Sequence, residues 1–259
     1  MQLVRAGGAQ FEIEQTGNGP DLLLLHSLLT DPGSFSAIVP ALSRTRRVTL
    51  VSLPGFGRST PPGPSIEDSA DRLAELVSTL GEKPDVLGNG YGGSIAVALA
   101  ARHGAKLGKL VLADTAAAFP ESGRAPFRVM AEAVERNGMA AIVDVAVRRI
   151  FPESYLAAHP GAIAERRAVL LRADPGNFAA ACRALAKLDL RPELRGIGNP
   201  TLVVVGTLDA ATPPVLAREL ASGVPGAQLV EMPACGHCPP LQQPAEFVAA
   251  IAPFLGLTQ

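Results

Sequence analysis

Short, continuously apolar runs recur along the chain, and amphipathic stretches lie between them. Asp21–His26 (DLLLLH) shows the pattern best, because its central positions are all leucine and it ends in polar residues. Such a run fits a strand covered on both faces. Val48–Leu53, Pro84–Leu87, Lys109–Ala113, Thr201–Gly206 and Gln228–Met232 read the same way. Phe11–Gln15 predicts an earlier strand, in a hairpin with residues near Leu3. Apolar residues spaced three and four apart predict helices over Ser34–Leu42, Ile66–Leu80, Tyr91–His103, Pro214–Ser222 and Ala245–Phe254. Strands alternating with helices predict an α/β fold, with a mostly parallel sheet flanked by helices.

The alternation stops between Thr115 and Asn199. Only helical patterns occur there: Pro126–Asn137, Met139–Ile150, Ala162–Arg172 and Asn177–Leu188, punctuated by Pro152, Pro160, Pro175 and Pro192. The expected organisation is a core of residues 1–114 and 200–259, interrupted by a helical cap of residues 115–199. An insertion leaving the C-terminal edge of a parallel sheet would lie over the ligand crevice.

Composition removes several function classes. The chain has 259 residues, 47% of them hydrophobic, enough for one large core. Its formal charge of −1 gives no reason to expect nucleic acid or an anionic membrane as a partner. No apolar run reaches the roughly 18 residues that span a bilayer, and the first residues form no signal-peptide core. A soluble, cytoplasmic protein acting on a small molecule is the expectation. The three cysteines, Cys182, Cys235 and Cys238, are too few and too odd in number for a disulfide framework. No metal cluster or Walker-type loop is evident, so no cofactor and no metal are expected. Oligomeric state leaves no mark in the pattern.

The chemistry centres on Val86-Leu87-Gly88-Asn89-Gly90-Tyr91-Gly92-Gly93-Ser94. It follows an apolar run and opens an alanine-rich helical one, the strand–turn–helix setting of a nucleophile elbow, G-x-S-x-G. Gly88 and Gly92 match the flanking glycines. Gly90 stands where the serine would be.

Four other features keep their order around it: His26-Ser27-Leu28 after the first buried strand, Pro54-Gly55-Phe56-Gly57-Arg58-Ser59, Gly206-Thr207-Leu208-Asp209 and Gly236-His237. Together the five resemble an α/β-hydrolase-fold protein with a helical cap. The likeness covers nearly the whole chain and is strongest to the small lactonases and esterases that include 3-oxoadipate enol-lactonases. The resemblance implies Asp209 as the acid of a catalytic triad and His237 as its base. A carboxylate in that loop can accept the imidazole N–H, fix its tautomer and stabilise the imidazolium. Asp114, after Lys109–Ala113, is a second candidate acid. The oxyanion donors implied are the backbone N–H groups of Leu28 and Tyr91, neither of which needs a side chain at position 90. His26 is expected to support the oxyanion loop, and Ser27 and His26 are the candidate substrate-binding residues beside it. Serine at position 27 also belongs to the enol-lactonase pattern, so its presence alone implies no relocated nucleophile. His103 ends a helix, where it complements the dipole, and His159 carries no signal.

Glycine at position 90 is comfortable in the positive-φ conformation of an elbow, where a serine is strained by about 1–3 kcal/mol. It is also chemically empty, and a serine-borne acyl-enzyme at position 90 is excluded. Three readings stay open. His237 and Asp209 activate water held in the space left by the side chain; or the fold is a ligand-binding or sensing module without turnover; or the glycine replaces the serine of an ordinary serine hydrolase. Two other motifs compete. Cys235-Gly236-His237-Cys238 has the C-x-x-C spacing of a redox site, but without its strand-to-helix placement. Gly88, Gly90 and Gly93 fit G-x-G-x-x-G, with Asp114 as a ribose-binding acid, but the loop follows the third buried strand rather than opening the fold. Cap arginines, among them Arg124, Arg128, Arg148, Arg149, Arg166, Arg167, Arg172 and Arg183, offer partners for a substrate carboxylate.

Overall fold

The structure is a computed structural model and describes residues 1–257. Eight strands form one sheet: β1 (Gln2–Ala6), β2 (Ala9–Thr16), β3 (Asp21–Leu25), β4 (Arg47–Ser52), β5 (Asp85–Asn89), β6 (Leu110–Ala113), β7 (Thr201–Gly206) and β8 (Gln228–Met232). Their spatial order is β1-β2-β4-β3-β5-β6-β7-β8. β1 and β2 form the expected hairpin, with Val4 opposite Phe11, and β2 runs antiparallel to β4. From β4 to β8 every pairing is parallel. This is the α/β-hydrolase arrangement expected from the sequence.

Alternation within a strand explains the unbroken leucine run. Leu22 and Leu24 pack on one face with Phe35, Leu42, Phe247 and Ile251. Leu23 and Leu25 pack on the other with Ile95, Leu73 and Val97. Successive side chains point to opposite faces, so a strand covered on both must be apolar throughout. Each such leucine contributes about 1.5–3 kcal/mol by burial.

The helices that matter here are α1 (Val39–Leu42), α2 (Ile66–Val77), α3 (Tyr91–His103), then five between β6 and β7: α4 (Glu121–Asn137), α5 (Val143–Ile150), α6 (Glu153–Ala158), α7 (Gly161–Leu170) and α8 (Pro175–Lys187). α9 (Pro214–Gly223), α10 (Pro239–Gln242) and α11 (Pro244–Leu255) complete the set. Among the described residues no helix is long and apolar enough to cross a membrane.

Several expected boundaries are corrected. Ser34–Leu42 is not one helix but a 3₁₀ turn, Pro32–Phe35, followed by the single turn of α1. The Asp31 carboxylate caps Gly33 N at 3.1 Å and tightens the first turn, and Pro40 has no N–H to continue a helix from Ser34. Met139–Ile150 divides into a 3₁₀ turn and α5. α4 begins before Pro126 and carries that proline inside its first turns. α6 and α10 are too short for periodicity to reveal.

The chain switches sides between β3 and β5. β4 lies on one side of β3, and the next strand in sequence, β5, lies on the other. α3 then packs close to the end of β3: Gly92 N donates to His26 O at 3.0 Å. A Cβ at Gly92 would sit 2.3 Å from Leu25 O and 2.7 Å from His26 O, both backbone atoms that cannot swing away. Gly92→Ala is expected to destabilise the protein by about 1–3 kcal/mol. Urea unfolding should show a lower midpoint with an unchanged slope.

Candidate active site

The strand register assembles the site. Leu25 pairs with Gly88 in the parallel β3–β5 ladder, so the chain beyond it sets His26 beside Asn89 and Ser27 beside Gly90. Asn89 pairs with Ala113, which brings up Asp114, and Gly206 pairs with Met232, which brings the loops carrying Asp209 and His237 together. All these residues lie at the C-terminal edge of one sheet, at a topological switch point, where crevices form in open α/β sheets.

His237 Nδ1 lies 2.9 Å from Asp209 Oδ2, with both side chains buried. Asp209 Oδ1 accepts from Ala211 N at 2.7 Å and Thr212 N at 3.0 Å. Its Oδ2 also lies 2.5 Å from the Thr212 hydroxyl. Burial by itself pushes the Asp209 carboxyl up, but His237 and these donors outweigh it and hold the pKa below the usual value. A charged, fully hydrogen-bonded acid thus fixes one imidazole nitrogen. The other, His237 Nε2, lies 3.2 Å from Ser27 Oγ. The His237 loop is tied down in turn: its N–H donates to Ile150 O at 2.9 Å, and Asn89 Nδ2 donates to its carbonyl at 3.0 Å.

Gly90 has φ 53° and ψ −115° at the start of α3, the backbone of an elbow. A Cβ built there would lie 2.6 Å from Ser27 Oγ and 2.7 Å from His237 Nε2. The sequence leaves this space for a water; in the structure Ser27 and His237 converge on it.

Ser27, Leu28, Gly90, Tyr91 and His237 share one cavity with Phe119, Phe127, Met130, Arg149 and Leu185 from the segment between β6 and β7. Among the described residues the Leu28 and Tyr91 N–H groups donate to no protein acceptor, which leaves both free for a ligand. The lining is apolar apart from this polar end and one cation. Arg128, Arg148, Arg172 and Arg183 are taken up by ion pairs with Glu121, Glu153, Asp31 and Glu135. Arg149 has no such partner among the described residues; its guanidinium stands 6.0 Å from the centre of the Phe127 ring. Burial lowers its pKa, against the attraction of Asp209, and it stays cationic at neutral pH.

A model of the alpha/beta hydrolase family matches residues 22–250. The chain belongs to the alpha/beta hydrolase family. A pimeloyl-[acyl-carrier protein] methyl ester esterase of Nitrosomonas europaea is 30% identical, over 93% of this chain and 98% of its own. A thermophilic esterase from Thermogutta terrifontis, solved with malate bound, superposes with a TM-score of 0.90 at 33% identity, covering 99% of this chain and 98% of that one. The enol-lactonase of Burkholderia xenovorans LB400 superposes with a TM-score of 0.90 at 32% identity, over 98% of this chain and all (100%) of that one. The expected likeness to enol-lactonases and small esterases is met.

The remaining candidates of this alpha/beta hydrolase fall into place around the same edge. Asp114 is buried beside Asp209. Burial and the Asp209 charge push its pKa well above the carboxylate range, against the pull of the Gly206 N–H. Its Oδ1 accepts that N–H at 2.8 Å, and its Oδ2 finds no conventional partner. This raised pKa favours the protonated form of Asp114. Asp114 is therefore a neutral neighbour of the acid, and no ribose-binding loop forms around it. Asp114, Asp209 and His237 place potential ligand atoms within 4.8 Å of one another, but the hydrogen bonds above already account for that cluster. Burial pushes the Cys235 and Cys238 thiols up, the reverse of a reactive C-x-x-C pair. His103 pairs with Asp71 at 2.7 Å, and His159 stacks on Tyr155.

Thr212 and Asn89 hold the acid and the His237 loop, and pattern reading missed both. Asn89 is one of the free positions of G-x-G, and Thr212 follows Asp209 in a stretch that reads as a helix start. His26 ties the oxyanion loop. Its Nδ1 donates to Ser27 O at 2.9 Å, and its Nε2 accepts from Leu53 N at 3.2 Å. Burial pushes its pKa down to about 4, below the value of about 6.5 in an unfolded chain. The folded state therefore keeps His26 neutral where the unfolded state takes up a proton. The resulting stability is present above about pH 6.5 and is lost as pH falls toward 4, by about 3 kcal/mol in all. Unfolding free energies of wild type and His26→Gln should converge over that window. Parallel curves would contradict the assignment.

Proposed function

We propose that the protein hydrolyses a compact carboxylic ester or lactone, with His237 and Asp209 as a general-base pair and the N–H groups of Leu28 and Tyr91 as the oxyanion hole. The observation that carries this reading is the buried 2.9 Å contact between His237 Nδ1 and Asp209, with Nε2 facing the cavity beside Gly90. A base fixed in this way takes a proton from an attacking hydroxyl and returns it to the leaving oxygen. The donors at Leu28 and Tyr91 and the N-terminal end of α3 favour the negative charge that develops on the carbonyl oxygen. None of these parts needs a side chain at position 90. The names of the relatives, an enol-lactonase and methyl ester and other esterases, support an ester or lactone substrate.

Residues 115–199 act as a cap in this reading, because Phe119, Phe127, Met130 and Leu185 close the cavity with apolar surface. Arg149 sets the charge of the substrate. An unpaired guanidinium in an apolar cavity recognises a carboxylate on the acyl or lactone portion.

His237→Ala should lower kcat for p-nitrophenyl acetate or a small enol-lactone by about 10²–10⁴, with an unchanged circular dichroism spectrum. Turnover that survives this substitution would sink the hydrolase mechanism. Tight ligand binding without turnover in the unsubstituted protein would favour a binding module instead. Arg149→Gln should raise KM about tenfold or more for an ester carrying a free carboxylate while leaving that of a neutral ester nearly unchanged. Equal effects on both esters would remove Arg149 from recognition.

A further inference from the structure

One side-chain hydroxyl lies within hydrogen-bonding reach of His237 Nε2. Ser27 is buried, and among the described residues its Oγ has one hydrogen-bond partner, His237 Nε2 at 3.2 Å. The chain Asp209–His237–Ser27 is continuous, with 2.9 Å at the acid and 3.2 Å at the hydroxyl. Three donors fix the residue that bears it: the Ser27 carbonyl accepts from His26 Nδ1 at 2.9 Å, Thr30 N at 3.2 Å and Thr30 Oγ1 at 3.1 Å.

Gly90 makes this arrangement possible. A Cβ there would approach both Ser27 Oγ and His237 Nε2 to within 2.7 Å, well inside van der Waals contact. A side chain at position 90 and this Ser27–His237 pair exclude each other without a shift of both groups. Ser27 Oγ lies next to the place toward which a serine on the elbow would point, because β3 and β5 are neighbours in register. Leu28 N directly follows Ser27, as Tyr91 N directly follows Gly90, and both residues line the cavity.

We propose that Ser27 is the nucleophile of this protein, moved from the elbow after β5 to the loop after β3. This rests on the ester- or lactone-hydrolase reading and supplies its covalent step. Ser27 Oγ attacks the carbonyl carbon as its proton passes to His237 Nε2, and the electron pair of the C=O bond moves to the oxygen held by Leu28 N and Tyr91 N. When the tetrahedral centre collapses, the ester C–O bond breaks and His237 gives its proton to the leaving oxygen, leaving an acyl group on Ser27. Water then attacks that acyl carbon, its proton going to Nε2. The second collapse releases the carboxylic acid, and Ser27 regains its proton from His237.

The test is phosphonylation of the full-length protein by a fluorophosphonate, read by peptide mass spectrometry. One adduct on Ser27 is expected, absent from Ser27→Ala and from His237→Ala. Ser27→Ala should lower kcat for p-nitrophenyl acetate at least about a hundredfold, as loss of a nucleophile does. The S27A/G90S double variant guards against mere misfolding: with Ser27 Oγ removed, serine at position 90 has room beside His237 and should take up the reagent itself. An unlabelled wild type beside a labelled double variant would overturn the proposal. So would turnover that survives Ser27→Ala and is abolished by His237→Ala, which leaves the hydrolase reading intact with water as the nucleophile.

Discussion

The site depends on one packing constraint, the parallel register of β3 and β5. Leu25 pairs with Gly88, and α3 is drawn so close that only a glycine fits at position 92. Because the chain changes sides of the sheet between these two strands, the loops after them diverge and open a crevice. The loop after β3 brings Ser27, the loop after β5 brings Gly90, and the two meet where a single serine usually suffices. A slip of the β3–β5 register would separate Ser27 from His237 and take the N–H groups of Leu28 and Tyr91 apart. The leucines of β3 would not resist it, since they are apolar on both faces; the close contact of Gly92 with the Leu25 and His26 carbonyls pins the register instead.

Electrostatics then sets the state of each group. Two buried acids, Asp114 and Asp209, cannot both be charged at such close quarters, and their surroundings divide them. Asp209 receives His237 and three further donors and stays ionised. Asp114 receives one backbone N–H and holds the proton. His237 is held from below by Asn89 and from above by the Ile150 carbonyl of α5. A movement of α5 would therefore reach His237 directly.

Much of this was legible in the sequence. DLLLLH and TLVVVG announce buried parallel strands, and the order of the glycine, aspartate and histidine motifs announces the hydrolase family. His237, Leu28, Tyr91 and Gly90 line one cavity, and Asp209 lies behind His237, 2.9 Å from its Nδ1. What escaped was set by contacts between segments far apart in the chain. The bond between Ser27 and His237 spans 210 positions and follows only from strand order. Thr212 holds Asp209 through its N–H and its hydroxyl, and Asn89 holds the His237 carbonyl, through contacts that no periodicity encodes. Arg149 stands among many arginines between β6 and β7, and only its place in the cavity lining beside Phe127 singles it out. The broken helix at Ser34–Leu42 was missed because Pro40 and the Asp31 cap act locally against an otherwise helical pattern.

The empty elbow gains meaning from its surroundings. Gly90 is a position where the backbone is built for a nucleophile, while the hydroxyl arrives from the neighbouring loop. The most direct measurement is the intact mass of the wild-type protein, acid-quenched during turnover of an activated aryl ester with a slowly hydrolysed acyl group. The account predicts a fraction of the chains heavier by one acyl group, with the ester linkage on the peptide containing Ser27. Product accumulating while the mass of the protein stays unchanged would contradict it.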